Sequence, residues 1–436
     1  MMKRIFYFLT ICLCIACQDD DTFSTSTGLR LNFSVDTLRM DTVFTRTPSS
    51  TYTFWVYNRN DKGVRLSSVK LARGNQSGFR VNVDGAYLDN SNGSQVSDLE
   101  LRGRDSLLVF LELTAPETYR PEPVMVEDDL VFLLESGTEQ RMRLRAWAWD
   151  AVKLHSPVFS KDSVFTSDVP VIVFGDMEIA EGATLTIRNT TLYFHDGAGI
   201  EVYGKLRTED CTMRGDRLDR MFSYLPYDRV SGQWKGIHFY ESSTDNELIR
   251  TEIRNPLSGI VCDSAVLGDG YRLKMQECIV HNCQGAGLKV TNSRISLTDC
   301  QLTNTLGNCL ELVGGIAEIN YCTLAQFYPF SADRGVALWF SGIDRLLCEG
   351  SILTGYADDV LMGELQEERA NDYLFRNCLL RTPNPDDEAH FIDIIWETPK
   401  DSIQGKQQFR VIDEDNLYYD FHLDSLSTAT GLGCYR

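Results

Sequence analysis

The sequence predicts an all-β chain in two parts, an immunoglobulin-like β-sandwich over residues 29–151 and a single-stranded parallel β-helix over 169–436. Three observations lead there. Cys278, Cys300 and Cys322 recur at intervals of 22 residues and open matching units: Cys278-Ile279-Val280-His281-Asn282, Cys300-Gln301-Leu302-Thr303-Asn304 and Cys322-Thr323-Leu324-Ala325-Gln326. Self-similarity at a period in the twenties marks a solenoid, whose repeats bury their apolar faces against one another. Within a unit, apolar and polar residues alternate, as Leu288 and Val290 do around Lys289, and Gly285 and Gly287 break the runs. Period-two alternation punctuated by glycine and asparagine is the pattern of short strands and turns. Between Leu31 and Trp149, short alternating runs are separated by turn-forming stretches such as 58–63 and Glu135-Ser136-Gly137. About seven strands in about 120 residues fit an immunoglobulin-like sandwich.

Residues 1–16 read as a lipoprotein signal peptide. Lys3 and Arg4 start it, and Ile5 to Ile15 form an apolar stretch too short to span a bilayer. The stretch Leu13-Cys14-Ile15-Ala16-Cys17 resembles a bacterial lipobox, which implies cleavage before Cys17 and lipidation there. Residues 17–28 form an acidic tether. Its Gln18-Asp19-Asp20-Asp21 resembles a surface-export signal, so the expected location is the outer membrane, exposed on the cell surface. The bland alternative is an ordinary signal peptide with a chance cysteine. With 42 Lys+Arg against 62 Asp+Glu, the chain has a net charge of −20, which excludes nucleic acid as a partner.

In the sandwich, Trp55, Trp147 and Trp149 are read as core or sheet-edge packing rather than a sugar-stacking face. Residues 152–168 read as a linker. The helix then stacks its units into ladders. Thr251, Cys278, Cys300, Cys322, Ser351 and Cys378 form an inward ladder of small residues. Ile253, Val280, Leu302, Leu324, Leu353 and Leu380 form an aliphatic one, and Asn255, Asn282, Asn304 and Gln326 an amide one. Ten cysteines follow Cys17, and most fall at inward positions. They are expected as free core thiols, since in-register side chains suit disulfide geometry poorly and no paired C-x-x-C offers a zinc site. The segment 397–436 is expected as an irregular cap on the open end.

Three elements make a resemblance specific: the entry Gly182-Ala183-Thr184-Leu185-Thr186-Ile187, an excursion over 214–231, and its return Gly232-Gln233-Trp234-Lys235-Gly236-Ile237. With the lipobox and the sandwich in this order, the chain resembles the right-handed parallel β-helix lipoproteins of Bacteroidetes. The resemblance implies fold and location and lends no catalytic residues.

Two places could carry function. The middle strand of each coil presents Glu201, His238, Val261, Lys289, Glu311, Trp339 and Leu361 along one outer face, suited to a glycan or to ordinary solvation. The excursion gathers Asp216, Asp219 and Arg220, either a self-paired loop or a site for a substrate, with Ca²⁺ as the only cofactor considered. Glycoside hydrolysis needs two carboxylates about 5–10 Å apart, and Glu201 and Glu311 fall several rungs apart. Asp358-Asp359 would point to opposite faces of a strand. The favoured expectation is a membrane-anchored, non-catalytic protein of roughly nine coils that presents a long surface to a glycan or an envelope protein. The alternatives are a polysaccharide lyase or glycoside hydrolase, by analogy of fold alone, and a structural spacer.

Overall fold

The computed structural model describes residues 22–265, 270–364, 371–397 and 405–436. The signal peptide and Cys17 lie outside them. The chain divides after Asp150 into two compact units.

Among the described residues, the first unit contains ten strands: β1 Asn32–Phe33, β2 Thr37–Phe44, β3 Tyr52–Tyr57, β4 Val64–Leu71, β5 Phe79–Val83, β6 Ala86–Tyr87, β7 Gln95–Leu101, β8 Ser106–Leu113, β9 Val124–Leu134 and β10 Glu139–Trp149. They form two five-stranded sheets in the orders β1-β3-β8-β5-β6 and β2-β10-β9-β4-β7. One core joins them: Phe54, Val109 and Leu111 from the first meet Leu66, Phe132 and Leu144 from the second. The sequence under-counted the strands because β2 shifts register against β10 between Arg145 and Trp147, which breaks its alternation. β7 was missed because it is a polar edge strand, a usual way of blunting an edge. The tryptophans also correct the expectation. Trp55 and Trp147 are 42% and 48% exposed on outer sheet faces, and only Trp149 is tucked in, stacked on Phe44.

The second unit is a parallel β-helix. Each complete coil contributes one strand to each of three stacks, as in Ile279–His281, Leu288–Thr291 and Arg294–Thr298. Among the described residues, the second stack holds nine strands in sequence order. The expected linker is in fact the first coil: Val152–His155 pairs with Val171–Phe174, Val158–Phe159 with Glu178–Ile179, and Ser163–Thr166 with 185–188. Its polar composition misled because an outermost coil has a neighbour on one side only.

The ladder of small residues extends further than the sequence suggested, through Thr190 and Cys211, which pair with each other and with Thr251. Its members sit at a one-residue bend between the third stack and the first. The preceding residue is left-handed in every described case, with φ between 44° and 61°: Asn189, Asp210, Arg250, Glu277, Asp299, Tyr321, Gly350 and Asn377. The main-chain oxygen two residues upstream accepts from the bend residue of the coil before it, as Thr298 O does from Glu277 N and Asn320 O from Asp299 N, both at 3.0 Å. The ladder residue adds a second donor to the same oxygen. Thr190 donates to Arg188 O, Cys211 to Glu209 O, Thr251 to Ile249 O, Cys278 to Gln276 O and Cys300 to Thr298 O, at 2.7–3.3 Å. Cys322, Ser351 and Cys378 repeat the contact at 3.0–3.4 Å. The position therefore selects a short side chain with a hydrogen to give, and Cys, Ser and Thr all qualify. The described cysteines are free thiols. Burial pushes those of Cys262 and Cys309 up to about 12.

The amide ladder is not a hydrogen-bonded one. Asn255, Asn282 and Asn304 are left-handed, with φ of 65°, 55° and 55°, a conformation asparagine tolerates. Asn255 donates to Asp228 O and Val230 O of the excursion, at 2.9 and 3.1 Å, rather than to its neighbours in the stack. Where the excursion returns, Trp234 enters the core, stacked on Phe194 at 4.3 Å, with its Nε1 donating to Arg254 O. Gly236 follows at φ 103°, where a Cβ would meet Ser258 O at 1.7 Å.

The C-terminal segment does not cap the end. Its hairpin, Phe409–Asp413 with Tyr418–Leu423, packs on the outer side of the first stack, where Phe409, Phe421 and Leu432 bury Ala325, Ile352 and Leu379. It then runs back over earlier coils: Gly433 donates to Gly350 O, Cys434 N to Thr323 Oγ1, and Tyr435 Oη to Gln301 Oε1 at 2.9 Å. Apolar residues at outward positions of these coils demanded a cover.

Candidate functional site

The expected row on the second stack is in register. Glu201 pairs with His238, His238 with Val261, Val261 with Lys289, Lys289 with Glu311, and Glu311 with Trp339. Its last member is Met362 rather than Leu361, which pairs with the inward Leu338. The row is largely self-paired. Lys289 Nζ meets Glu311 Oε1 at 2.8 Å. His238 Nε2 lies 3.0 Å from Asp263 Oδ2, and its Nδ1 lies 3.8 Å from Glu201 Oε2. The His238 ring stacks on Tyr240 at 4.0 Å, and Tyr240 stacks on Tyr203 at 4.2 Å.

The excursion does not assemble a shared site. Asp216 Oδ2 meets His195 Nδ1 at 2.7 Å, and burial raises the Asp216 carboxyl. Asp219 takes both Arg217 Nε and Nη2 at 2.7 Å, while Arg220 turns away to Ser223 O. Both carboxylates are committed to protein partners, so the cluster does not fit Ca²⁺, which takes six to eight oxygens. No group of three or more His, Cys, Asp or Glu suited to a metal occurs among the described residues.

A concave site lies elsewhere, on the outer side of the first stack. The excursion covers one end of that face, where Arg214 is bound by Asp228 at 3.0 Å. The C-terminal segment covers the other. Between them a groove of about 320 Å³ has Glu252, Arg254, His281, Gln301 and Asn304 along its base, Arg229 on one side, and Tyr418, Asp420, His422 and Tyr435 on the other. Alternation fixes the base: Ile253, Val280 and Leu302 point into the core, so their neighbours point out.

Charges in the groove are chained. Arg254 reaches Asp228 and Glu252, both at 3.4 Å, and His281 Nε2 lies 3.0 Å from Glu252 Oε1. Burial by itself raises the Glu252 carboxyl, but the His281 hydrogen bond and the charges of His281, Arg254 and Arg214 outweigh it and bring it down to about 2. Asp420 is likewise held below the ordinary carboxylate range. Burial opposes this, and hydrogen bonds from the main chain and ring of His422 prevail. His422 stacks on Tyr435 at 4.2 Å and 22°. Two polar atoms at the base are left over. Asn304 is 2% exposed, yet its Oδ1 has no partner, and neither does Arg254 Nε.

Sequence reading missed this site, although His281 stood inside a quoted repeat and Glu252 and Arg254 flank the ladder residue Ile253. The signal was the outward half of the first strand, which changes from polar in these coils to apolar in the later ones. No local pattern tied Asp420, His422 or Tyr435 to them.

Comparison with known proteins bears on the fold. A family model described as a right-handed beta helix region matches residues 174–324. No curated protein matches the chain. Among solved structures, a family 123 glycoside hydrolase from Clostridium perfringens is 7% identical with a TM-score of 0.20, covering 31% of this chain and 30% of its own. The catalytic unit of a GH87 alpha-1,3-glucanase from Streptomyces thermodiastaticus is 9% identical with a TM-score of 0.15, covering 79% of this chain and 89% of its own. This chain thus spans less than a third of the first of these, and the portion the comparisons describe is a right-handed β-helix.

Proposed function

We propose that this chain is an exported envelope protein, lipid-anchored through Cys17 to the outer membrane and displayed on the surface, whose β-helix binds a glycan without cleaving it. The leader, the lipobox cysteine and the acidic tether support the location, and the strand alternation of residues 29–151 supports an immunoglobulin-like module. The binding reading rests on the polar atoms left unpaired in the groove. A buried unpaired polar group costs roughly 1–3 kcal/mol. A sugar hydroxyl can donate to Asn304 Oδ1 and accept from Arg254 Nε, while the His422–Tyr435 stack offers a flat apolar wall.

Binding is favoured over hydrolysis by the same carboxylates. A glycosidase needs one carboxyl kept protonated near neutral pH as the acid, with its partner ionised. Glu252 and Asp420 are both held ionised. One observation favours an enzyme: Asp216 is raised by burial, though it does not line the groove. A glycan array probed with the full chain, followed by assays for reducing ends and unsaturated products, tests the choice. Binding to at least one glycan is expected, weakened about tenfold or more by Tyr435→Ala or Arg229→Ala, with no turnover. Release of product from any glycan would establish the enzyme instead.

A further inference from the structure

The first unit carries its own concave surface, on the outer side of the sheet β1-β3-β8-β5-β6. Its shape follows from strand order. β5 lies between β6 and β8, and Asn82 on β5 is the cross-strand partner of both Tyr87 and Phe110. Tyr87 and Phe110 are 47% and 40% exposed, so two rings stand on either side of a small polar residue. Strands two apart are separated by about 9.5 Å. A flat ring touching an aromatic face on each side needs about 7–8 Å. The trough between them, about 260 Å³, is wide enough to admit such a ring.

Two residues along the strands, a second row crosses the same face. Arg80 on β5 is the direct partner of Glu112 on β8. Although they face each other across the ladder, Arg80 forms no ion pair among the described residues, and Glu112 accepts from Thr51 Oγ1 at 2.8 Å instead. Both charged groups line the trough. An apolar pair of rings beside a planar donor and a planar acceptor is complementary to a pyranose, which has apolar faces and a hydroxyl rim. The two charges offset each other, which suits an uncharged ligand.

We infer that this trough is a saccharide-binding site for a neutral hexose unit, held between Tyr87 and Phe110 with its hydroxyls on Arg80 and Glu112. It stands apart from the groove on the β-helix, and neither reading needs the other.

Calorimetric titration of the full chain carrying Tyr435→Ala, which impairs the groove, isolates the trough. The probes are maltohexaose, cellohexaose, mannohexaose and chitohexaose. At least one is expected to bind. Adding Phe110→Ala or Tyr87→Ala should weaken that binding about tenfold, and Arg80→Ala should weaken it as well. Trp147→Ala, on the other sheet, should leave it unchanged. Because these side chains are exposed, the variants should unfold at the parent temperature, which calorimetry of the same samples verifies. No binding by any of the four sugars, or an affinity unmoved by Phe110→Ala, overturns the site.

Discussion

Lys289 and Ile279 belong to one coil, and both point away from the core. Lys289 lies on the second stack and pairs along the axis with Glu311, whereas Ile279 lies on the first stack and lines a groove. The charged members of the second-stack row are met by residues of adjoining coils, Lys289 by Glu311 and His238 by Glu201 and Asp263. The first-stack face is finished by chain from elsewhere: the 214–231 excursion, which Arg254 holds at Asp228, and the C-terminal hairpin over Ala325, Ile352 and Leu379. The same repeat therefore yields a solvated wall on one side and a roofed channel on the other. The repeat dictates which residues face out. Non-repeating segments dictate which of those become a site.

The contrast can be broken most severely at Phe327. It is fully buried on the first-stack side, with ring contacts to Tyr356, Phe409 and Phe421 at 4.9–6.3 Å. Phe327→Ala is expected to cost about 3–5 kcal/mol, measured by denaturant unfolding, and to speed proteolysis within 405–436. A loss as large from Trp339→Ala, on the second stack, would show that the two faces do not differ.

A smaller effect is expected at Glu252. Its carboxyl sits at about 2 in the fold against 4.5 for the free group. A depressed carboxyl contributes stability above its unfolded value and loses it as pH falls through the folded one. The contribution is on the order of 3 kcal/mol at neutral pH and fades between about pH 4.5 and 2. Glu252→Gln should remove it and flatten the acid limb of a stability–pH curve. An unchanged limb would mean that His281 and Arg254 do not hold this group.

The smallest effect belongs to the wall. Lys289 and Glu311 are an exposed pair of the kind worth about 0.2–1 kcal/mol. Lys289→Ala should shift unfolding by no more than that, with the difference vanishing in high salt. A shift several times larger would give the second stack a structural weight that its geometry does not explain.

The readable part of this molecule is the part that repeats. The positions of Cys278, Cys300 and Cys322 led directly to the inward ladders and to the register of the Glu201–Trp339 row, because period-two alternation is enforced wherever one face is buried. The first coil was hidden in 152–168, since a single coil has no internal copy to match. The C-terminal hairpin was hidden because its contacts with Thr323 and Gln301 span more than a hundred residues. The thiols were recognised as buried but not as donors, since the left-handed bend before each one has no fixed residue type: Asp210, Glu277, Tyr321 and Asn377 all adopt it.

That bend has a consequence for how such a chain can change length. Donor and acceptor at each corner, as at Cys300 and Thr298, lie two residues apart on the same strand of chain. The same oxygen also accepts from the bend residue of the coil before it, Glu277 N to Thr298 O at 3.0 Å, so each corner offers its neighbour a main-chain bond of one kind. Because successive corners repeat the same pair of bonds, duplication or loss of one 22-residue unit joins like to like, and a coil ending in serine can follow one ending in cysteine, as Ser351 follows Cys322. Copy number becomes an inheritable variable of this architecture, while the roof over the first stack sets the limit on which copies can be exchanged.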